Sequence, residues 1–239
     1  MASLLLLASC SSPLDVDAER GPKVVIGTKP YDIYTNVDTL DFEYVHPYIS
    51  KQLSFKVFNN TSKDFKLNNI AIENNTQIMS ISDFEATTLK PKNQDYDNVE
   101  ITVTIDADYD YGYYSDELVF NGLENPRVYV KAIIPAVYGE DIDFGETQIG
   151  EDFIGSEFLT LRNISDKDVT ISNLSVNDDI FEIKSADTTY QLKAGSTKEI
   201  IITFEPKESK IYEAELTFDV DDNSIISDKS VKLSGIGTN

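Results

Sequence analysis

Asn59-Asn60-Thr61-Ser62-Lys63-Asp64-Phe65-Lys66-Leu67-Asn68-Asn69-Ile70-Ala71-Ile72 lines up without a gap on Asn163-Ile164-Ser165-Asp166-Lys167-Asp168-Val169-Thr170-Ile171-Ser172-Asn173-Leu174-Ser175-Val176. The first Asn, the Lys, the Asp and the later Asn are identical, and apolar residues keep the same phase throughout. A repeat at this separation means that one structural unit occurs twice. The correspondence extends outward with small gaps. Leu40-Asp41-Phe42 matches Ile142-Asp143-Phe144, Val99-Ile101-Val103 is set against Ile200-Ile202-Phe204, and Tyr114-Ser115-Asp116-Glu117-Leu118-Val119-Phe120 matches Tyr212-Glu213-Ala214-Glu215-Leu216-Thr217-Phe218.

Within each copy the pattern has period two, as in Phe55-Lys56-Val57, Val99-Glu100-Ile101-Thr102-Val103, Leu159-Thr160-Leu161 and Leu216-Thr217-Phe218. Such alternation predicts strands with one buried face, and paired faces predict antiparallel sheets packed in two layers. No stretch sustains the i, i+3, i+4, i+7 spacing of a helix. Each copy holds some seven strand-like runs in about 100 residues, the size of an immunoglobulin-like sandwich. The predicted fold is therefore all-β, with two tandem immunoglobulin-like β-sandwiches at 24–136 and 137–239. They are joined near Pro135-Ala136-Val137-Tyr138-Gly139, where a hinge is expected.

The 239 residues include 42 acids, 20 bases, one His, one Cys and no Trp, for a net charge of −22. Residues 137–239 hold 22 acids against 9 bases, so the excess is spread along the chain rather than confined to a tail. Nucleic acid is not an expected partner, because phosphate contacts need clustered Lys and Arg. One thiol forms no internal disulfide, and one His leaves no two-His metal motif. No glycine-rich phosphate loop follows a strand. His46, beside Tyr44 and Tyr48, is expected as a loop imidazole rather than a catalytic base, and no enzyme activity is expected.

Leu4-Leu5-Leu6-Leu7-Ala8-Ser9-Cys10 resembles the lipobox of bacterial lipoproteins, which implies a signal peptide at 1–9 and lipidation at Cys10. Met1-Ala2-Ser3 carries no basic residue, so a natural leader is expected to begin earlier. Residues 10–23, with Pro13, Asp15, Asp17, Glu19, Gly21 and Pro22, read as a flexible acidic tether. This segment is similar to the export signal of Bacteroidetes surface lipoproteins, implying an outer-membrane anchor facing the exterior.

The second copy resembles the ASH or hydin-type domains, relatives of the major sperm protein fold. The residues that carry the likeness are Ile142-Asp143-Phe144-Gly145, Leu159-Thr160-Leu161-Arg162-Asn163, Ile200-Ile201-Ile202-Thr203-Phe204-Glu205-Pro206 and Leu233-Ser234-Gly235-Ile236-Gly237. The first copy is diverged: Glu43 stands where Gly145 does, and Ala132-Ile133-Ile134-Pro135 replaces the closing Gly-x-Gly. The resemblance implies protein association and scaffolding in an envelope or surface complex, without catalysis or a cofactor.

Two local features are candidate ligand sites. Asp106, Asp108 and Asp110 with Glu117 have the 1, 3, 5, 12 spacing of a calcium loop, although Gly112 falls one place late and no helices flank it. Tyr109, Tyr111, Tyr113 and Tyr114 offer ring faces on which sugars can stack. They point to an alternative role as a glycan-binding accessory of a nutrient-uptake system. A fimbrial or adhesive subunit is a third expectation. The sequons at Asn59 and Asn163 matter only in a eukaryotic secretory route, which the lipobox opposes.

Overall fold

The computed structural model describes residues 32–239 except 83, 107, 109, 125, 151–153, 186 and 188. The expected signal peptide, Cys10, the expected tether, the start of the first sandwich and Tyr109 lie outside the described residues. Among the described residues every regular element is a strand, as the period-two alternation demands.

The first copy forms β1 (Ile33–Thr35), β2 (Thr39–Tyr44), β3 (Lys51–Asn59), β4 (Phe65–Leu67), β5 (Ile70–Ile72), β6 (Met79–Ile81), β7 (Thr87–Leu89), β8 (Asn98–Ile105), β9 (Gly112–Phe120) and β10 (Arg127–Ile134). The second forms β11 (Val137–Gly139), β12 (Ile142–Gln148), β13 (Gly155–Asn163), β14 (Val169–Val176), β15 (Phe181–Ile183), β16 (Thr189–Leu192), β17 (Thr197–Phe204), β18 (Ile211–Val220) and β19 (Ser230–Thr238). The sheet orders are β1-β3-β8-β6 and β2-β10-β9-β5 in the first copy, with β4-β7 as a separate pair. In the second they are β11-β13-β17-β15 and β12-β19-β18-β14-β16. This is the immunoglobulin-like arrangement of two facing sheets. In both copies the opening segment is divided, one part pairing antiparallel in the first sheet and the next parallel in the second.

Inward residues of each pair of sheets make two separate cores. One contains Phe42, Phe55, Ile101, Leu118 and Val130, and the other Leu159, Ile202, Phe204, Leu216 and Val231. The quoted repeat supplies a bracket at the end of β3 and β13. Asn59 Nδ2 donates to the carbonyls of Lys63, Leu89 and Lys90, and Asn163 Nδ2 to those of Lys167, Leu192 and Lys193. Their Oδ1 atoms accept from the backbone and hydroxyl of Thr61 and Ser165, respectively. The asparagine of each sequon is thus a buried structural bracket whose amide nitrogen is held by backbone carbonyls. A second shared device closes the β8–β9 and β17–β18 connections: the Tyr114 hydroxyl donates to Asp110 O and the Tyr212 hydroxyl to Glu208 O. Both are tyrosine corners of the kind common in such sandwiches.

One correspondence drawn from the sequence is corrected. Ile101 faces Phe55 on β3, whereas Ile200 faces Leu159 on β13, so Ile101, Val103 and Ile105 are the counterparts of Ile200, Ile202 and Phe204. The sequence match was offset by two residues. A slip of two keeps every inward residue inward, so alternation cannot detect it. Only Pro135 and Ala136 separate β10 from β11, and Ala136 N, Ile164 N and Asp228 N bond to Ile226 O, Ala136 O and Val137 O. Buried Ala136, Val137 and Tyr138 are built into the second sandwich.

Candidate binding cleft at the junction

Strand β10 sends Val128, Val130, Ala132 and Ile134 inward, which leaves Tyr129, Lys131 and Ile133 on the outer face. Register then sets their neighbours. Ile133 lies beside Tyr113 of β9 and Tyr44 of β2, and Lys131 lies between Ser115 and Asp41. Lys131 Nζ pairs with Asp41 Oδ2 at 2.7 Å. Lys51 Nζ donates to the carbonyls of Phe42 and Tyr44, fixing the backbone that carries the Tyr44 ring. Asp141, Asp228, Ser230 and Lys232 of the second sandwich form the opposite wall, and the loop bearing His46 and Ile49 closes one end. The resulting open cleft has a volume of about 900 Å³.

The two walls are fastened to one another. His46 Nε2 sits 3.0 Å from Asp228 Oδ2, and the His46 ring packs against Tyr138 at a centroid separation of 4.9 Å. Burial raises the Tyr138 pKa, with Glu140 adding to the rise and Arg162 opposing it. Glu140 holds the Arg162 guanidinium at 2.6 Å and raises its pKa in turn. Asp228 also accepts from Ser230 Oγ, at 3.3 Å. Serine, aspartate and histidine therefore meet here, but the aspartate lies in the middle. A hydrolase needs the imidazole bonded to the nucleophile, so this wiring holds a joint instead of activating a hydroxyl.

The sequence-derived candidates are distributed differently from their spacing. Tyr113 is 74% exposed and lines the cleft, whereas its neighbour Tyr114 points inward as the corner residue. Burial, and then Asp110, raise the Tyr114 pKa. Tyr111 is partly exposed in the preceding loop. Of the calcium set, Glu117 lies on β9 and pairs with Arg127 at 2.6 Å, and Arg127 also binds Glu73. Asp108 N donates to Asp106 Oδ1 within the loop. No group of three potential metal ligands is assembled among the described residues.

The neighbouring Asp116 has a structural role that spacing did not reveal. It is 2% exposed and accepts from Asn74 N, Thr76 N, Thr76 Oγ1 and Glu117 N. Burial alone would raise its pKa, but the hydrogen bonds outweigh it and bring the value down to about 2. Sequence reasoning also missed Tyr44, Tyr129 and the His46–Asp228 pair. The outward parity of Tyr129, in a strand whose other phase is wholly aliphatic, was the available signal.

A second exposed feature lies on the outer face of β13 and β17. Phe158 and Ile201 are directly opposed across the two strands and are 57% and 40% exposed, with exposed Ile154 just before β13.

No family model matches the chain, and no curated protein matches it either. Among solved structures it is similar to a protein of unknown function from Porphyromonas gingivalis W83, at 13% identity over 86% of this chain and 100% of that one, with TM-score 0.36. It is also similar to an ASH/PapD-like domain of human CEP192, at 19% identity, 44% and 87% coverage and TM-score 0.36. A third is WR4, an MSP family member of C. elegans, at 8% identity, 40% and 92% coverage and TM-score 0.29.

Proposed function

We propose that the chain is a non-catalytic cell-envelope lipoprotein, anchored in the outer membrane through Cys10 and facing the exterior, whose tandem sandwiches form a protein-interaction or scaffolding module. The observation that carries this reading is the exposed Phe158–Ile201 pair. Its counterpart in the first sandwich is Ser54–Thr102, where the two hydroxyls bond at 2.8 Å and face water at no cost. One scaffold thus tolerates a polar pair at this position, and the second copy keeps two large apolar side chains there. Apolar side chains held out on a rigid sheet suit burial by a partner protein.

The counterpart residues supply the test. Phe158→Ser with Ile201→Thr installs a pair that the same architecture already accommodates, so folding is preserved. Crosslinked pull-down from solubilised membranes is expected to return one stable protein partner with the native chain and to lose it with the double variant. Equal recovery by both chains counts against the reading. Radiolabelled fatty-acid incorporation that vanishes in Cys10→Ser tests the anchor separately.

A further inference from the structure

We propose that the junction cleft is a binding site for a neutral oligosaccharide, a ligand site additional to the protein-interaction face on β13 and β17. Tyr44, Tyr113 and Tyr129 reach the cleft from three adjacent strands of one sheet. Tyrosine combines an apolar ring face, which packs on the C–H face of a sugar, with a hydroxyl that bonds to its rim. Tyr113 leaves most of its ring in water at the cleft, a face open to a ligand.

Charge selects the class of ligand. The whole chain carries −22, yet in the cleft Lys51, Lys131 and Lys232 nearly offset the four acids Asp41, Glu43, Asp141 and Asp228. Opposed charges at such close quarters leave little net field to attract an ion, while supplying both donors and acceptors. A polyhydroxyl ligand needs that mixture, because every hydroxyl donates one hydrogen bond and accepts others. A peptide anchor needs a deep apolar pocket, whereas this cleft is open and its apolar Val45, Ile49, Ala132 and Ile133 share the lining with phenolic rings and ion pairs. The volume, about 900 Å³ and open, admits a chain of sugars. The walls are set in advance, since the His46–Asp228 bond and the packing of the His46 ring on Tyr138 hold one sandwich against the other. A pre-formed site loses less entropy on binding.

The test is calorimetry on the full chain with defined hexaoses of glucose (β-1,4 and α-1,4), xylose, mannose and N-acetylglucosamine, with oligogalacturonate and a random peptide pool as comparators. The expected result is saturable binding of at least one neutral hexaose. Tyr113→Ala and Tyr129→Ala are each expected to weaken it about tenfold without moving the melting temperature. The Phe158→Ser/Ile201→Thr variant is expected to bind like the native chain, so loss of the protein-interaction reading and loss of this one are separable. The proposal is overturned if no neutral hexaose binds, if binding is confined to oligogalacturonate or peptide, or if both tyrosine variants bind normally.

Discussion

In the first sandwich Ile105 and Ala132 occupy the positions that Phe204 and Gly235 occupy in the second. The second pair is the more crowded. The Phe204 ring stacks on Phe181 at 4.9 Å, and a Cβ added at Gly235 would lie 2.6 Å from it. The first sandwich fills the same space with a smaller Ile105 and a methyl at Ala132. At the bulge on β2 and β12, Glu43 and Gly145 both adopt left-handed backbone, with φ of 53° and 62°, and both N–H groups bond the aspartate two residues earlier. Only glycine adopts that conformation without steric cost. The asparagine brackets, by contrast, share their bonding atoms, and both tyrosine corners keep the bond from the hydroxyl to the carbonyl four residues earlier. Hydrogen-bonded devices at strand ends have thus been held fixed while apolar contacts drifted in compensating pairs. Hydrogen bonds depend on direction and leave buried groups unsatisfied when lost, whereas packing volume can be redistributed between neighbours.

That contrast can be broken most severely at the brackets. Asn59→Ala and Asn163→Ala each strand buried carbonyls and are expected to cost about 3 kcal/mol in urea unfolding of the intact chain. Unequal costs would show that the two brackets are not equivalent. Crowding comes next. Gly235→Ala is expected to destabilise by about 2 kcal/mol, and combining it with Phe204→Ile, as in the first sandwich, to cost less than the two single changes added together.

Asp116 stands where the second sandwich has Ala214, and its contribution is read from its loss in acid. Its folded pKa of about 2 lies below the ordinary 3.8, so its stabilisation is complete above 3.8 and is lost as pH falls toward 2. The loss is expected to be about 2 kcal/mol. Urea midpoints measured down this range should fall more steeply for the native chain than for Asp116→Asn. The smallest effect is at the bulge. Glu43→Gly is expected to stabilise by about 0.5 kcal/mol and Gly145→Ala to destabilise by about 1 kcal/mol, read from thermal midpoints.

The sandwich architecture was legible because period-two alternation runs through most of the long strands, changing phase at bulges such as Ser172–Ser175 of β14, and the asparagine bracket repeats without a gap. The candidate cleft was only partly legible. Four tyrosines close in sequence looked like one group, but Tyr113 and Tyr114 leave opposite faces of β9: Tyr113 holds its ring out at the cleft, whereas Tyr114 packs against the core and closes the corner. The calcium-like spacing assumed a continuous loop, whereas β9 carries Glu117 away to Arg127.

By itself the sequence determined which side chains turn inward, that two similar units follow one another, and where their shared brackets lie. All of these are local, since strand parity and a side chain bonding a few residues away are written in short stretches. Tertiary structure alone decided strand register, because a two-residue slip costs no inward residue. It alone brought His46 within 3.0 Å of Asp228, 182 positions later, and set the outer face of β10 against the opening of β19. Outward residues carry no periodic signal for what lies opposite them. That is fixed by the His46–Asp228 bond, together with the bonds that build Ala136 and Val137 into the second sandwich directly after β10.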